Sequence, residues 1–462
     1  MAAQTKFELS RYRLVITRYG GSELLLASSR PTLPSLEVPC EGRPAEGLVT
    51  GVERKYRLET YCLWLGRTVV PGDDSRPGNY AVLEVLEQNA PAPTGMFWAP
   101  TRDALSRVGS ADGAAIRGFV EDLGRYGSDP ERAPFAQPAW IQSLLGWAGA
   151  QLQPCGLRLT GGIWQLNAGP TFNLIRLQTN RAPVWFKATG EPNTDELPVS
   201  LTLARWIPEF VPRILGVHPS WNGWLSSHVP GRLLSGFENH SIWETVAGAL
   251  ARMQIASIEK GSELRESKVR DLGMGKLAEL VDPFIDCVNG WMPIEEKQSQ
   301  APLTRAELGF LRDQLGEACQ RLDDLKIPNS IGRFDLNAGN IVVSHDRVVF
   351  LDWAETYWGH PFLSFTYLVE HFRRHSPGVG LESTLKSAYA EPWEGVCGKE
   401  SVSTSLAIAP LVAAFAYTIA GRNWRGPETL GDPRASASLR SMTLRMHREA
   451  KRIEEARPTC LS

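Results

Sequence analysis

The first hundred residues alternate between short hydrophobic runs and polar breaks. The runs RYRLVITRY, SELLLAS, YCLWLG and YAVLEVLE are rich in β-branched and aromatic residues, and clusters of Gly, Pro and Asp separate them. Runs of this kind are typical of strands. Between them EGLVTGVERKYRLET has helical spacing, and DALSRVGSADGAAIRGFVEDLGRY later returns to it. The pattern predicts a β-rich α+β domain over residues 1–126.

The rest of the chain begins with a polar, proline-rich stretch. GSDPERAPFAQP falls within residues 127–140 and predicts a linker. Strand-like runs around one helix follow over residues 141–231, and helical spacing dominates residues 232–456. We therefore predict an α+β protein with a separate β-rich domain, then a small β-rich lobe and a large helical lobe. Two such lobes can hold a ligand between them.

Composition and charge narrow the class of protein. The 462 residues carry a formal net charge of −2, which gives no general attraction to nucleic acid or to an anionic membrane. The seven cysteines form no CxxC pair, so we expect neither a disulfide framework nor a zinc site. The longest apolar run, LAIAPLVAAFAYTIA, is short for a membrane span and contains Pro410, which favours a buried helix. With no signal-peptide pattern at the N-terminus, a cytoplasmic protein is expected. The sequence does not indicate an oligomeric state.

The helical part is interrupted by a second pattern. Residues 333–351 read RFDLNAGNIVVSHDRVVFL, in which two apolar runs flank the turn-prone SHDR. Two such runs predict a β-hairpin. With the turn centred on Asp346, Asn340 would lie opposite Asp352, and opposite residues of an antiparallel pair are roughly 4.5–5.5 Å apart. Asp335 would lie on the loop that precedes this end of the hairpin.

These three side chains have the chemistry of a phosphoryl-transfer site. An amide oxygen and a carboxylate on a rigid hairpin suit Mg²⁺, which usually takes one or two protein ligands besides phosphate oxygens. A carboxylate beside the metal can orient a hydroxyl and accept its proton. The alternative is that Asp335, Asn340 and Asp352 only cap loops, which is common for each residue type alone. Their combination around one hairpin favours the site.

The same residues resemble a known motif. RFDLNAGN followed by Asp352 looks like the HxDxxxxN motif and the later metal-binding Asp of the aminoglycoside phosphotransferase-like kinases. The resemblance spans about residues 145–450 and is specific between residues 333 and 361. It implies a bilobal, protein-kinase-like fold and transfer of the γ-phosphate of ATP or GTP to a hydroxyl of a small molecule. It also implies that Asp335 is the catalytic base and that Asn340 and Asp352 are the Mg²⁺ ligands.

The resemblance implies a nucleotide site upstream of this motif. Lys187 ends the apolar run APVWFK and would hold the nucleotide phosphates. The turn NAGPT contains Gly169 and would cover the phosphates, with one glycine where protein kinases use several. Glu196 is the candidate partner of Lys187, and Asp195 and Glu209 are the alternatives. A solvated Lys at a strand end and an exposed Glu in a first helical turn are the competing interpretations.

The segment GWLSSHVPGRLL resembles the hinge between the lobes of such kinases. The backbone groups expected to face the nucleotide base are those of Ser226, Ser227 and His228. The chain also departs from the family pattern, with Arg333 for the usual His, Phe334 for the usual Gly and GHP for the usual GDP. The family His ties the catalytic loop to the metal-binding segment, and Arg333 has the donors to do the same or else marks a damaged loop. His360, within GHP, is expected at the surface or in a cap rather than at the substrate.

The N-terminal part resembles a Nudix-type fold in the order of its elements. RYRLVITRYGGSELLLAS looks like an opening hairpin, and GMFWAPTRDALSRV looks like a closing strand and helix. A Nudix hydrolase would carry paired metal-binding glutamates in an REXXEE box, whereas the helix here has only the isolated Glu53 and Glu59. The resemblance therefore implies a regulatory or binding role rather than hydrolysis.

The leading hypothesis is a Mg²⁺-dependent small-molecule kinase that uses ATP or GTP and a hydroxylated small-molecule substrate. A non-catalytic, kinase-like binding or regulatory protein is the first alternative, motivated by Arg333, Phe334 and the glycine-poor turn. A protein kinase is the second, and WAETYWGHPFLSF counts against it because no APE-type segment follows Asp352.

Overall fold

The computed structural model describes residues 9–40, 43–68, 78–127, 134–169, 171–267, 269–291, 302–345, 347–377, 380–421, 424–425 and 433–456. The chain is a mixed α+β protein that divides into two compact units. Unit 1 comprises Met1–Leu197 and Arg213–His228, and unit 2 comprises Pro198–Pro212 and Val229–Ser462. The finer division into three parts and a linker stays a prediction, and residues 128–133 of that linker lie outside the described residues.

The first half of unit 1 is a six-stranded mixed sheet, here called the N-terminal sheet. Its strands are β1 (Leu9–Arg18), β2 (Glu23–Ala27), β3 (Ser35–Pro39), β4 (Thr60–Thr68), β5 (Gly78–Val85) and β6 (Met96–Pro100). Its helices are α1 (Pro44–Tyr56), α2 (Thr101–Arg107) and α3 (Ser110–Gly127). The order is β4-β5-β1-β2-β6, with β3 paired to the start of β1. Strand β4 therefore forms one edge.

Both faces of the N-terminal sheet are buried. Successive strand residues point to opposite faces, and β1 carries apolar residues at both sets of positions. Leu14 and Ile16 belong to an apolar cluster with α1, and Val15 belongs to a second cluster with α3. The predicted strand and helix order is present, although α1 ends at Tyr56, where the next residue adopts a left-handed conformation. The Nudix-like assignment stays a prediction.

The second half of unit 1 is a five-stranded antiparallel sheet, here called the small sheet. Its strands are β7 (Leu159–Asn167), β8 (Phe172–Thr179), β9 (Val184–Thr189), β10 (Ile214–His218) and β11 (Gly223–Ser227), in the order β10-β11-β9-β8-β7. Helix α4 (Trp140–Leu152) precedes it, and α5 (Glu196–Trp206) leads into unit 2. Alternation buries Ile175 and Phe186 in a cluster with α4 and leaves Lys187 on the opposite face.

Unit 2 is mostly helical. Its helices are α6 (Ile242–Ser257), α7 (Gly261–Glu266), α8 (Met274–Trp291), α9 (Arg305–Asp324), α10 (Phe362–His375), α11 (Glu382–Cys397), α12 (Lys399–Ala420) and α13 (Pro433–Glu455). Its strands are β12 (Arg232–Leu233), β13 (Arg270–Leu272), β14 (Ser330–Arg333), β15 (Ile341–Val343), β16 (Val348–Phe350) and β17 (Thr356–Gly359). They form two three-stranded sheets, β12-β15-β16 and β13-β17-β14, on which the candidate site is built.

Helix α12 contains the run LAIAPLVAAFAYTIA. Among the described residues it is the helix that is long and apolar enough to cross a membrane by length and composition. Of its most apolar window, 61% is buried within the protein, and Val412 and Phe415 lie in the core of unit 2. The helix therefore has the burial of a core helix.

Candidate active site

The predicted hairpin is present, with a different register. The N–H of the residue before Asp352 donates to the C=O of Asn340 at 2.8 Å, so the prediction that Asn340 faces Asp352 is wrong by one residue. The turn closes with the N–H of Ser344 donating to the C=O of Arg347 at 3.0 Å, which defines a two-residue loop. A turn centred on Asp346, which lies outside the described residues, would require an odd number of loop residues.

Asp352 leaves the strand ladder in a left-handed conformation. Its φ is 63°, a region that non-glycine residues seldom adopt and that persists only where the surrounding structure holds it. Its carbonyl oxygen accepts a hydrogen bond from Arg333 Nη2 at 2.6 Å. Strained residues of this kind concentrate at functional sites, which is consistent with a functional role for the Asp352 carboxylate.

Arg333 connects the two segments that carry the candidate residues. Its Nη2 also donates to the C=O of Asp335 at 2.6 Å, so one nitrogen bridges Asp335 and Asp352. The side chain is 0% exposed, and its Cζ lies 4.9 Å from the centre of the Trp353 ring. Its backbone N–H donates to Ser364 Oγ at 2.8 Å. The guanidinium thus ties the loop of residues 333–340, here called the Asp335 loop, to the segment that carries Asp352.

Both carboxylate oxygens of Asp335 accept hydrogen bonds from amides of its own loop. Asn337 Nδ2 donates to Oδ1 at 2.5 Å, and Asn340 Nδ2 donates to Oδ2 at 2.6 Å. Asn337 is fixed in turn, because its Oδ1 accepts the N–H of Gly339 at 2.8 Å. Asn340 keeps its amide oxygen as the atom that can meet a cation. The sequence argument missed Asn337, although an Asn two residues before a Gly is a turn signal.

Phe334 is built into an aromatic cluster beneath the Asp335 loop. Its ring centre lies 4.6 Å from that of Tyr357, 5.4 Å from Tyr367 and 5.6 Å from Tyr417. The ring of Tyr357 covers Gly332, where an added Cβ would lie 2.1 Å from it. Phe334 is therefore accommodated by packing against these three tyrosines, and the ring of Tyr357 also requires a glycine at position 332.

A third carboxylate, Glu355, adds to the negative charge here. Burial raises the pKa of Glu355, and the charges of Asp335 and Asp352 raise it further against the opposing effects of Arg270 and Arg333. Such an electrostatic environment favours a cation. The described part of the chain contains no group of three or more His, Cys, Asp and Glu side chains placed to hold a metal. An amide oxygen and a carboxylate oxygen, completed by phosphate oxygens, are ligand types that suit Mg²⁺.

In unit 1 the structure brings Lys187 and Glu196 together. Lys187 Nζ lies 2.5 Å from Glu196 Oε1, and the two side chains are 12% and 2% exposed. The ammonium also lies 4.8 Å from the centre of the Phe172 ring and 5.9 Å from that of Trp224. This is neither a solvated strand-end Lys nor an exposed first-turn Glu.

Gly169 lies in the turn between β7 and β8. Its φ is 128°, which L side chains rarely adopt, and apart from its two chain neighbours no atom of the described residues lies within 4 Å of the position of an added Cβ. The backbone here is therefore open to close approach on that side. We call residues 167–171, of which residue 170 lies outside the described residues, the Gly169 turn.

The segment that resembles a hinge, GWLSSHVPGRLL, begins within strand β11 of the small sheet. Ser226 and Ser227 belong to β11, which lies between β9 and β10, and the N–H of Ser227 donates to the C=O of Arg213 at 2.8 Å. His228 Nδ1 accepts from Trp185 Nε1 at 3.3 Å. Burial lowers the pKa of His228, and a nearby arginine lowers it further. The proposed contact of these backbone groups with a nucleotide base stays a prediction.

His360 is an interior residue, so the expectation of a surface or capping His is wrong. It is 1% exposed, and burial lowers its pKa to about 3. Neither ring nitrogen has a hydrogen-bond partner among the described residues. It lines a cavity of about 200 Å³ together with Met274, Leu322, Asp323, Lys326, Ile327 and Asn329.

The sequence of the chain matches no model of a known protein family. It also matches no curated protein. Among solved structures, it is similar to a choline kinase from Cryptosporidium parvum, with 11% identity, a TM-score of 0.45 and coverage of 68% of this chain and 96% of that one. It is also similar to an ethanolamine kinase from Plasmodium vivax, with 12% identity, a TM-score of 0.43 and coverage of 62% of this chain and 83% of that one. A macrolide 2′-phosphotransferase from Brachybacterium faecium is similar as well, with 14% identity, a TM-score of 0.42 and coverage of 64% of this chain and 98% of that one. At identities and TM-scores this low, function has to be inferred from the residues of this chain.

Proposed function

We propose that this protein is a Mg²⁺-dependent phosphotransferase that moves the γ-phosphate of ATP or GTP to a hydroxyl group of a small molecule. The observation that carries the proposal is the Asp335 loop. Its carboxylate is oriented by two amide donors, and one arginine nitrogen ties it to the segment of Asp352. A loop that only caps a helix or turn does not require this internal connection.

In the reaction, Asp335 accepts the proton of the substrate hydroxyl. The hydroxyl oxygen forms a bond to the γ-phosphorus as the bond from that phosphorus to the bridging oxygen of the nucleoside diphosphate breaks. The products are ADP or GDP and a phosphate monoester. Asn337 and Asn340 hold the carboxylate in one orientation, which matters because phosphoryl transfer depends mainly on positioning and charge.

The remaining residues bind the nucleotide. Asn340 and Asp352 hold Mg²⁺, which when bound neutralises charge on the phosphates. Lys187, held by Glu196, binds the phosphates. The residues proposed to cover the phosphates and to meet the base are Gly169, Ser226, Ser227 and His228. We place the reaction in the cytoplasm, without nucleic acid or membrane as partner.

Turnover of ATP and GTP against a panel of hydroxylated small molecules tests this proposal. For any accepted substrate, Asp335→Asn is expected to lower kcat by about a thousandfold, since general base catalysis contributes 10²–10⁴-fold, roughly. Binding of the Mg²⁺–nucleotide complex should persist. Asp313→Asn, on the exposed side of α9, is the matched control and should leave turnover unchanged.

Equal turnover in the wild type and Asp335→Asn contradicts the assigned role of Asp335. A non-catalytic binding protein is the alternative. It predicts that no member of the panel is phosphorylated and that Asp335→Asn leaves ligand binding and cellular function intact.

A further inference from the structure

The edge strand β4 of the N-terminal sheet is covered by a side chain of the small sheet. An edge strand presents unpaired N–H and C=O groups. Gln165, on β7, meets both groups of Cys62: the N–H of Cys62 donates to Oε1 at 2.7 Å, and Nε2 donates to the C=O of Cys62 at 2.8 Å. Gln165 is 3% exposed. Its amide replaces a strand partner at a point where β4 itself is irregular, between Cys62 and Trp64.

A second buried connection starts from β8. Asn173 Nδ2 donates to the hydroxyl oxygen of Tyr61 at 2.6 Å, and this hydroxyl donates to the C=O of Phe135 at 3.2 Å. Asn173 is 0% exposed. A polar group buried to this degree is destabilising when it loses its partner, so these bonds define one arrangement of the two sheets.

The two connections flank the Gly169 turn. Gln165 lies near the end of the strand that enters the turn, and Asn173 lies near the start of the strand that leaves it. Between them, Ala168 packs against the apolar cluster that contains Leu48 and Val52 of α1. The turn is therefore held at both stems and along one side by the N-terminal sheet and its helix, while the side next to Gly169 is open.

Helix α4 completes the contact between the two sheets. The ring of Trp140 lies 5.6 Å from that of Phe186 in the small sheet and 5.9 Å from that of Tyr61 in the N-terminal sheet. Before the helix, the N–H of Ala139 donates to Glu84 Oε2 of β5 at 2.6 Å, which places a carboxylate at the helix N-terminus. The two sheets thus share one apolar core, which opposes independent movement of the Gly169 turn.

We propose that the N-terminal sheet positions the Gly169 turn for nucleotide binding, with Gln165 and Asn173 as positioning residues. This inference rests on the proposed function, in which the turn covers the nucleotide phosphates. A turn that is ordered before binding loses less conformational entropy when the nucleotide binds, and the nucleotide binds more tightly. Loosening the stems should therefore raise KM for the nucleotide more than it lowers kcat, because the proposed base is unchanged.

Gln165→Met tests the proposal, since it keeps the length of the side chain and removes both hydrogen bonds. Gln178→Met on β8 is the matched control, because among the described residues the Gln178 amide bonds only to the C=O of Thr179, at 3.5 Å. Tyr61→Phe removes the hydroxyl that accepts the hydrogen bond from Asn173, and it does so without a substitution in the small sheet. KM for the nucleotide, kcat and amide hydrogen exchange of residues 166–169, 171 and 172 are measured on the full chain, since residue 170 is a proline without an amide hydrogen.

We expect Gln165→Met to raise KM about fivefold, with kcat changed less than twofold, and to accelerate exchange in the Gly169 turn. Tyr61→Phe should shift both quantities in the same direction, and it decides the question if Gln165→Met does not fold. Exchange and KM that equal those of Gln178→Met would overturn the proposal. A wild type without phosphotransfer would refute the proposed function, while the exchange rates would still decide whether the N-terminal sheet holds the turn.

Discussion

The Asp335 loop and the Gly169 turn are both assigned to phosphate chemistry, but they are held in opposite ways. The hydrogen bonds that fix Asp335 come from within the loop, and Arg333 bridges groups only 2 and 19 positions away along the chain. The stems of the Gly169 turn are fixed by Gln165 and Asn173, whose partners lie 103 and 112 positions away. The Asp335 loop is therefore held by residues near it in the sequence, whereas the Gly169 turn is held by the N-terminal sheet of unit 1.

This difference predicts different responses to substitution. In the Asp335 loop one buried side chain serves two backbone carbonyls, so its loss disrupts several contacts at once. In the Gly169 turn two separate side chains, Gln165 and Asn173, bond to adjacent residues of β4, so the loss of one leaves the other and should have a moderate effect. Because Tyr61 and Cys62 are neighbours, the effects of losing both connections are expected to be non-additive.

The largest effect is expected for Arg333→Met. The variant fills most of the same volume but leaves the carbonyls of Asp335 and Asp352 without their donor, because the thioether cannot donate a hydrogen bond. Hydrogen bonds to charged groups contribute about 1.5–3 kcal/mol each, so the free energy of unfolding should fall by about 3 kcal/mol. Denaturant titration measures this quantity, and turnover should fall with it.

Arg333→Lys separates the contribution of the positive charge from that of the two hydrogen bonds. Lysine keeps the charge but lacks the planar fork that reaches two acceptors, so an intermediate loss is expected. Arg321→Met, on the more exposed surface of α9, is the control. If Arg333→Met unfolds at the same denaturant concentration as this control, the Asp335 loop is not held by Arg333.

A smaller effect is expected from His360, which follows the strand β17 paired with Arg333. Burial lowers the pKa of His360 to about 3 from an ordinary value of 6.5. As the pH falls below 6.5, the unfolded state takes up a proton that the folded state does not bind until the pH approaches 3. Stability from the neutral imidazole is therefore present above this window and lost within it, by about 1.4 kcal/mol per pH unit.

His360→Met removes this proton uptake. Denaturant titrations between pH 6 and 4, roughly the middle of that window, should show a steeper loss of stability in the wild type than in the variant. Substitution of the half-buried His228 gives a comparison in the other unit, where burial also lowers the pKa. Parallel pH dependences in the wild type and His360→Met would show that His360 is protonated in the folded protein.

The sequence was informative wherever the interactions are local. The hairpin after the Asp335 loop follows from its two apolar runs. At Arg333, the first position of the motif, the donors of arginine and the family resemblance left a tie between the two segments as one of two alternatives, and the structure contains that tie. The register was wrong by one residue because the turn has two loop residues, and SHDR alone allows more than one turn length. Asp352 is connected to the loop by the hydrogen bond that its carbonyl accepts from Arg333 rather than by strand pairing with Asn340.

The long-range part could not be predicted in the same way. Alternation in β8 and β9 shows that Ile175 and Phe186 are buried, but it does not say which element covers them. Gln165 and Asn173 read as ordinary polar strand residues, and their partners are set by the packing of two sheets around α4. The burial of His360 has the same origin, since a His between Gly and Pro carries no local sign of an interior position.

Thermal unfolding with ATP or GTP, with and without Mg²⁺, measures whether the protein binds a Mg²⁺–nucleotide complex. We expect one of these nucleotides to stabilise the wild type when Mg²⁺ is present, by about 2.7 kcal/mol at a ligand concentration one hundred times Kd. The stabilisation should be lost in Asp352→Asn, a substitution that tolerates the left-handed backbone and removes the carboxylate. No stabilisation by either nucleotide, or an equal shift without Mg²⁺ and in Asp352→Asn, would contradict the assignment of this protein as a Mg²⁺-dependent phosphotransferase.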